Sequence, residues 1–158
     1  MLKLYKRDSG GLMYWETWDK NSRAGIVHWG NVGEKGESKE VSSGLFSNFR
    51  KDIQKEINVK IGEGFIEILE ESLDRLVIEY KIEGMGTEED LAKRHLLESK
   101  MNEFLGWRGL GHCDGGSIGS GTMEILCFVV DFNVAKKLIE EELKQTEFSD
   151  FSKIFKEE

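Results

Sequence analysis

No proline interrupts this chain, and eighteen glycines do. Proline and glycine are the strongest local punctuation a sequence has. With proline absent, every turn must be built from glycine with Asn, Asp and Ser. Regular elements are then sought in the stretches between those residues. The densest cluster, GWRGLGHCDGGSIGSG (residues 106–121), holds seven glycines in sixteen residues. A second, HWGNVGEKG (28–36), places a tryptophan just before three glycines.

Between these breaks the first part of the chain reads as strands. LKLYKRD (2–8), LMYWETW (12–18) and the stretch opening GIVHWG are β-prone, and SKEVSS offers a fourth strand. DKNSRAG between them is a hairpin turn. Phe46, Phe49, Ile53, Ile57 and Ile61 then recur at helical spacing, with Ser47 or Asn48 as N-cap and Gly62 as stop. The prediction is a small antiparallel sheet covered by one helix.

The rest of the chain carries a different order. RLVIEYKI alternates, with Leu76, Ile78, Tyr80 and Ile82 on one face and Glu79 and Lys81 on the other. Thr87 begins TEED, a capping-box variant, before a helix with Leu97, Met101, Phe104 and Leu105 inward. The glycine-rich stretch supplies a bent or bulged strand. TMEILCFVVD is apolar on both faces, as a central strand would be. A helix capped by Asn133 follows, and FSDFSKIFKEE supplies an edge strand or packed phenylalanines. This order fits a ferredoxin-like sandwich. The fold class expected is α+β in two modules, residues 1–65 and 66–158.

Charge divides along the same line. Residues 1–64 hold 11 Lys and Arg against 9 Asp and Glu, and residues 65–158 hold 11 against 21. An acidic second half repels nucleic acid and favours basic protein partners. No run approaches the roughly 18 apolar residues of a membrane helix, and no signal-peptide pattern opens the chain. A cytoplasmic protein without a membrane partner is expected. Cys113 and Cys127 form no framework and read as reduced, buried thiols. An approach of Cys127, on the next strand, to Cys113 would still make no metal site, because no second His or Cys pair stands at zinc spacing.

The aromatic strand YWETW, then HWGNVGEKGESK, then a helix ending near Gly64-Phe65 resembles the WGR domain over residues 2–65. The signature reads here as Trp29-Gly30-Asn31. In poly(ADP-ribose) polymerases such domains contact DNA breaks, the tryptophan stacking on a terminal nucleotide. The resemblance implies that Trp29 stacks on a ligand. Asn31 stands where the family has arginine, so the guanidinium fork on phosphate is missing. One base–aromatic stack contributes about 1–3 kcal/mol, so nucleic-acid binding through Trp29 with Lys35, Arg50, Lys51 and Lys55 is the weaker expectation. CDGGSIGSGTMEILCFVVD is similar to a segment of small bacterial ferredoxin-like domains, some near toxin–immunity systems.

Catalytic and cofactor motifs fail on spacing. The glycine-rich stretch has no lysine at a P-loop position and is followed by a strand. No zinc spacing exists, and consecutive His112, Cys113 and Asp114 point to alternate faces. An enzyme using Cys113 or Glu124 is the third reading, and a buried Glu124 needs a partner, either Arg108 or a backbone amide of the glycine-rich loop. The leading expectation is a non-enzymatic, immunity- or regulator-like binding protein without cofactor or metal, whose acidic second half engages a basic protein partner. Its candidate binding residues are Trp29, Gly30, Asn31, Lys35, Arg50, Lys51, Lys55, Arg108 and Asp114.

Overall fold

Alternation of apolar and polar residues builds the first sheet. In the computed structural model, which describes residues 1–158, four strands pair in sequence order, all antiparallel. They are β1 (Leu2–Asp8), β2 (Gly11–Asn21), β3 (Ala24–Asn31) and β4 (Glu37–Ser42). Leu4, Trp15 and Val27 leave one face of this sheet and meet Phe49 and Ile53 of helix α1 (Phe49–Gly62), together with Phe65. The helix seats closely because β3 has Gly25 beneath it. A Cβ there would lie 2.7 Å from Ile53 Cδ1 and 3.1 Å from the Phe49 ring.

The helix begins later than its apolar stripe suggests. Asn48 is the N-cap, its side chain accepting from the amides of Arg50 and Lys51. Ser47 Oγ accepts from Gly44 N at 2.7 Å, and Ser43 Oγ from Phe49 N at 3.1 Å. These serine bonds hold residues 43–48 as a connection. Leu45 and Phe46 therefore stand outside the helix and are fully exposed, so the expected Phe46 contact is corrected. Ile57 is half-buried and Ile61 exposed. The stripe is sealed only over its first two turns.

Two compact units make up the chain, Met1–Leu69 and Glu70–Glu158. The expected division after residue 65 falls inside the first of them. Phe65 belongs to its core, and Ile66 pairs with Tyr5 through two backbone hydrogen bonds, 2.8 and 2.9 Å.

The second unit runs β5 (Asp74–Lys81), α2 (Glu88–Gly106), β6 (Gly111–Gly119), β7 (Thr122–Val129), α3 (Phe132–Leu143) and β8 (Lys153–Glu157). Its antiparallel sheet has the order β6-β7-β5-β8. That is the split-βαβ arrangement of a ferredoxin-like fold. Helix α2 packs on β6 and β7, and α3 on β5 and β8. Leu76, Ile78 and Tyr80, with Met123, Ile125 and Cys127, are buried beneath them. Thr87 and Asp90 close the expected capping box on α2. Helix α3 is capped by Asp131, whose carboxylate accepts from Val134 N at 3.1 Å, two residues before the predicted Asn133.

The glycine-rich stretch forms β6 and the tight turn after it. Ser120 and Gly121 have φ of 54° and 86°, a two-residue hairpin turn with both residues left-handed. Counting outward from that turn, Gly119 faces Thr122 and Gly116 faces Ile125. Unbroken, the ladder would set Cys113 against Phe128. A bulge between Cys113 and Gly116 adds one residue and sets Cys113 against Cys127 instead, with Cα atoms 3.9 Å apart. The two are joined as a disulfide, which corrects the expectation of reduced thiols.

Glu79 is a buried acid of the second unit. Ser152 Oγ donates to its Oε1 at 2.7 Å, and Lys153 Nζ lies 3.2 Å from Oε2. The serine hydrogen bond, then the lysine, holds this carboxyl below its ordinary range against the cost of burial. A depressed carboxyl contributes stability above its unfolded-state pKa and loses it as pH falls through its folded-state value. Glu79→Gln is therefore expected to lower Tm at pH 7. The gap to the parent should narrow as pH falls below about 4; a Tm series from pH 3 to 7 checks it.

Candidate functional site

Trp29 lies in β3 with Trp15 of β2 and Glu37 of β4 directly opposite it in the two ladders. The indole is partly buried and packs along the edge of the first core. It also lines an open cleft of about 640 Å³. Met13, Trp15, Trp29 and Phe65 give the cleft its apolar surface; Glu34, Glu37, Lys39, Glu56 and Lys60 give it charge.

One end of the cleft is the turn between β3 and β4, and a buried polar chain fixes that turn. Lys3 Nζ pairs with Glu16 Oε2 at 2.9 Å, and Glu16 Oε1 meets His28 Nδ1 at 2.7 Å. His28 Nε2 reaches the Lys35 carbonyl at 2.6 Å. A carbonyl only accepts, so Nε2 carries a hydrogen and donates it. Tyr14 donates its hydroxyl to the Glu34 carbonyl at 3.1 Å and lies 3.1 Å from the same Nε2. Tyr14, Glu16 and His28 are all buried, where an unmet polar group is costly. Two carbonyls of the turn are thus bound from below.

Gly36 makes this closure sterically possible. Its φ is +66°, and a Cβ would lie 2.2 Å from the Trp29 carbonyl oxygen and 2.4 Å from Tyr14 Oη. Only glycine fits that position. The turn therefore has a structural task, and in performing it leaves Trp29, Gly30 and Asn31 on the cleft wall.

The predicted basic residues do not gather around Trp29. Arg50 lies on another flank of α1, its Nη2 2.7 Å from Asp19 Oδ2, beside a second cleft with Trp18 and Phe49. Lys51 is exposed, and Lys55 pairs with Asp52 at 3.0 Å. Neither Lys51 nor Lys55 lines the Trp29 cleft, because Phe49 and Ile53 turn the opposite side of α1 to the sheet. The Lys35 side chain is exposed, and it is the backbone carbonyl of this residue that is engaged. The cleft's lysines are Lys39 and Lys60. Lys39 pairs with Glu56 at 2.9 Å, and Lys60 with Glu63 at 2.7 Å, also standing 5.3 Å over the Phe65 ring.

Arg108 and Asp114 belong to the second unit. The Arg108 guanidinium stacks 3.9 Å from the Phe104 ring and donates to the Phe104 carbonyl at 3.3 Å. Glu124 is half-buried and accepts from Ser117 Oγ at 3.0 Å, so its partner is that serine. Asp114 sits exposed at the β6 bulge. His112 stacks on Phe128, while Cys113 is bonded to Cys127. No group of three or more His, Cys, Asp or Glu side chains is placed to hold a metal ion. No helix is long and apolar enough to cross a membrane.

The pairing register that brings Glu37 and Lys39 to the tryptophan follows from the length of the turn, which periodicity within each strand does not reveal. Comparison with protein-family models, curated proteins and solved structures gave no match.

Two substitutions test the closure of the turn. Gly36→Ala combines a left-handed backbone with a clash and is expected to destabilise by about 3 kcal/mol or more. His28→Ala leaves Glu16 Oε1 and the Lys35 carbonyl without their histidine partner, Glu16 keeping only Lys3, and is expected to cost roughly 2–4 kcal/mol. Urea unfolding followed by circular dichroism measures both. A change under about 0.5 kcal/mol, the ordinary range for surface substitutions, would contradict the assignment.

Proposed function

We propose that this chain is a non-enzymatic binding protein, WGR-like in its first unit, that recognises a protein partner with a basic surface. The observation that carries this reading is the charge inventory of the Trp29 cleft. Its two lysines are already paired with Glu56 and Glu63, whereas Glu34 and Glu37 have no cationic partner. Phosphate affinity comes from several cations that release counterions together, and this cleft has none to spare. The second unit, taken by itself, is also acidic, with 11 Lys and Arg against 20 Asp and Glu, and its charge likewise favours a basic partner. The disulfide occupies Cys113 and the serine contact occupies Glu124, which supports binding over chemistry at those residues.

Nucleic-acid binding is the second reading. The partial exposure of Trp29 in an open cleft that also holds Lys39 and Lys60 favours it.

Fluorescence anisotropy separates the two. Fluorescent arginine- and lysine-rich peptides, and nicked and blunt DNA duplexes, are titrated with the full chain at about 50 mM salt, where phosphate contacts are strong. Saturable peptide binding without DNA binding is expected. Saturable DNA binding that Trp29→Ala weakens would replace the protein-partner reading with the second.

A further inference from the structure

We propose that the Trp29 cleft is a pocket for a single arginine side chain presented by the basic partner. The guanidinium lies against the Trp29 indole and pairs with Glu34 and Glu37, and the methylene stem lies along Met13. This rests on the reading of a basic protein partner and specifies how one is held.

Geometry supplies the first support. Glu37 is directly opposite Trp29 in the β3–β4 ladder, so both side chains leave the same face of the sheet. Directly opposed residues have Cβ atoms about 5 Å apart. A planar cation resting on the indole, within about 6 Å of the ring centre, is then in reach of the Glu37 carboxylate. Glu34 enters the same cleft from the turn. Its backbone is held by Tyr14, and its carboxylate touches only the neutral Asn31 amide, at 3.3 Å.

Charge supplies the second. Among the charged groups lining the cleft, Glu56 neutralises Lys39, and Lys60 is neutralised by Glu63 just outside it. Two carboxylates remain, beside an aromatic face, and both are exposed enough to meet a ligand. The chain already uses the same contact internally, since Lys6 and Lys60 both stand over the Phe65 ring.

The guanidinium is selected over the ammonium by shape and hydration. It is flat, loses water more readily and offers a fork of donors to two acceptors. An anionic ligand would meet the two free carboxylates.

The test uses the full chain, labelled with 15N, and three capped pentapeptides identical except for a central arginine, lysine or citrulline. The Trp29 indole N–H resonance is followed. The arginine peptide is expected to shift it saturably, the lysine peptide more weakly, and the citrulline peptide not at all. Trp29→Ala removes a residue that packs on the core, so the decisive variant is Glu34→Gln with Glu37→Gln, at exposed positions. Losing two exposed ion pairs is expected to weaken the arginine peptide roughly 2- to 30-fold. Equal binding of arginine and citrulline peptides, or unchanged affinity in the double variant, overturns the proposal. If basic peptides shift only resonances of Glu70–Glu158, the arginine pocket falls and the basic-partner reading stands. If no basic peptide shifts any resonance, both fall.

Discussion

The first unit depends on a histidine whose two ring nitrogens are both committed. His28 is tied to the Glu16 carboxylate through Nδ1 and to the Lys35 carbonyl through Nε2. Glu16 is in turn anchored by Lys3. The chain of contacts runs from β1 through β2 and β3 to the turn before β4. Buried polar groups of this kind are stabilising only when every member is satisfied, so the turn has one conformation that closes the network. That conformation places Gly36 against the Trp29 carbonyl, and it sets which β4 residue faces which β3 residue. Position of the turn, register of β4 and composition of the cleft are one fact seen at three scales.

Much of the fold was legible in the sequence, and the part that was not has a common cause. The strands of the first sheet and the Thr87 capping box rest on signals within a few residues of each other, and such signals survive without knowledge of the tertiary structure. Phe46 keeps helical spacing with Phe49 three residues on, yet the helix starts only after Asn48, and serine side chains hold the connection before it. Asp131 outcompeted Asn133 as a cap for a similarly local reason, the position of its carboxylate relative to Val134 N. Trp29 could be singled out from the glycines after it. Its companions Glu37 and Lys39 could not, because they arrive through cross-strand register.

The disulfide shows the same limit more sharply. A regular hairpin through Ser120–Gly121 would put Cys113 opposite Phe128, and one extra residue in the bulge alters that pairing. Strand β6 is rich in glycine and has few side chains with which a hydrophobic pattern could specify register. The bond between Cys113 and Cys127 pins the register where side-chain packing is sparse.

Helix α1 behaves, in mechanical terms, as a beam resting on few supports. Phe49 and Ile53 seat its first two turns, half-buried Ile57 packs against the same core, and Phe65 anchors the chain just beyond its end. In the connection from β4, Leu45 and Phe46 are exposed and add no core contact, while Ser43 ties it to the Phe49 amide. Glu56 and Lys60, on the span between the supports, form one wall of the cleft, while Trp29 and Glu37 form the other. The width between those walls therefore depends in part on Phe49 and Ile53, two side chains that do not line the cleft. Trimming Ile53 or filling the space at Gly25 would tilt the span and retune the cleft from beneath.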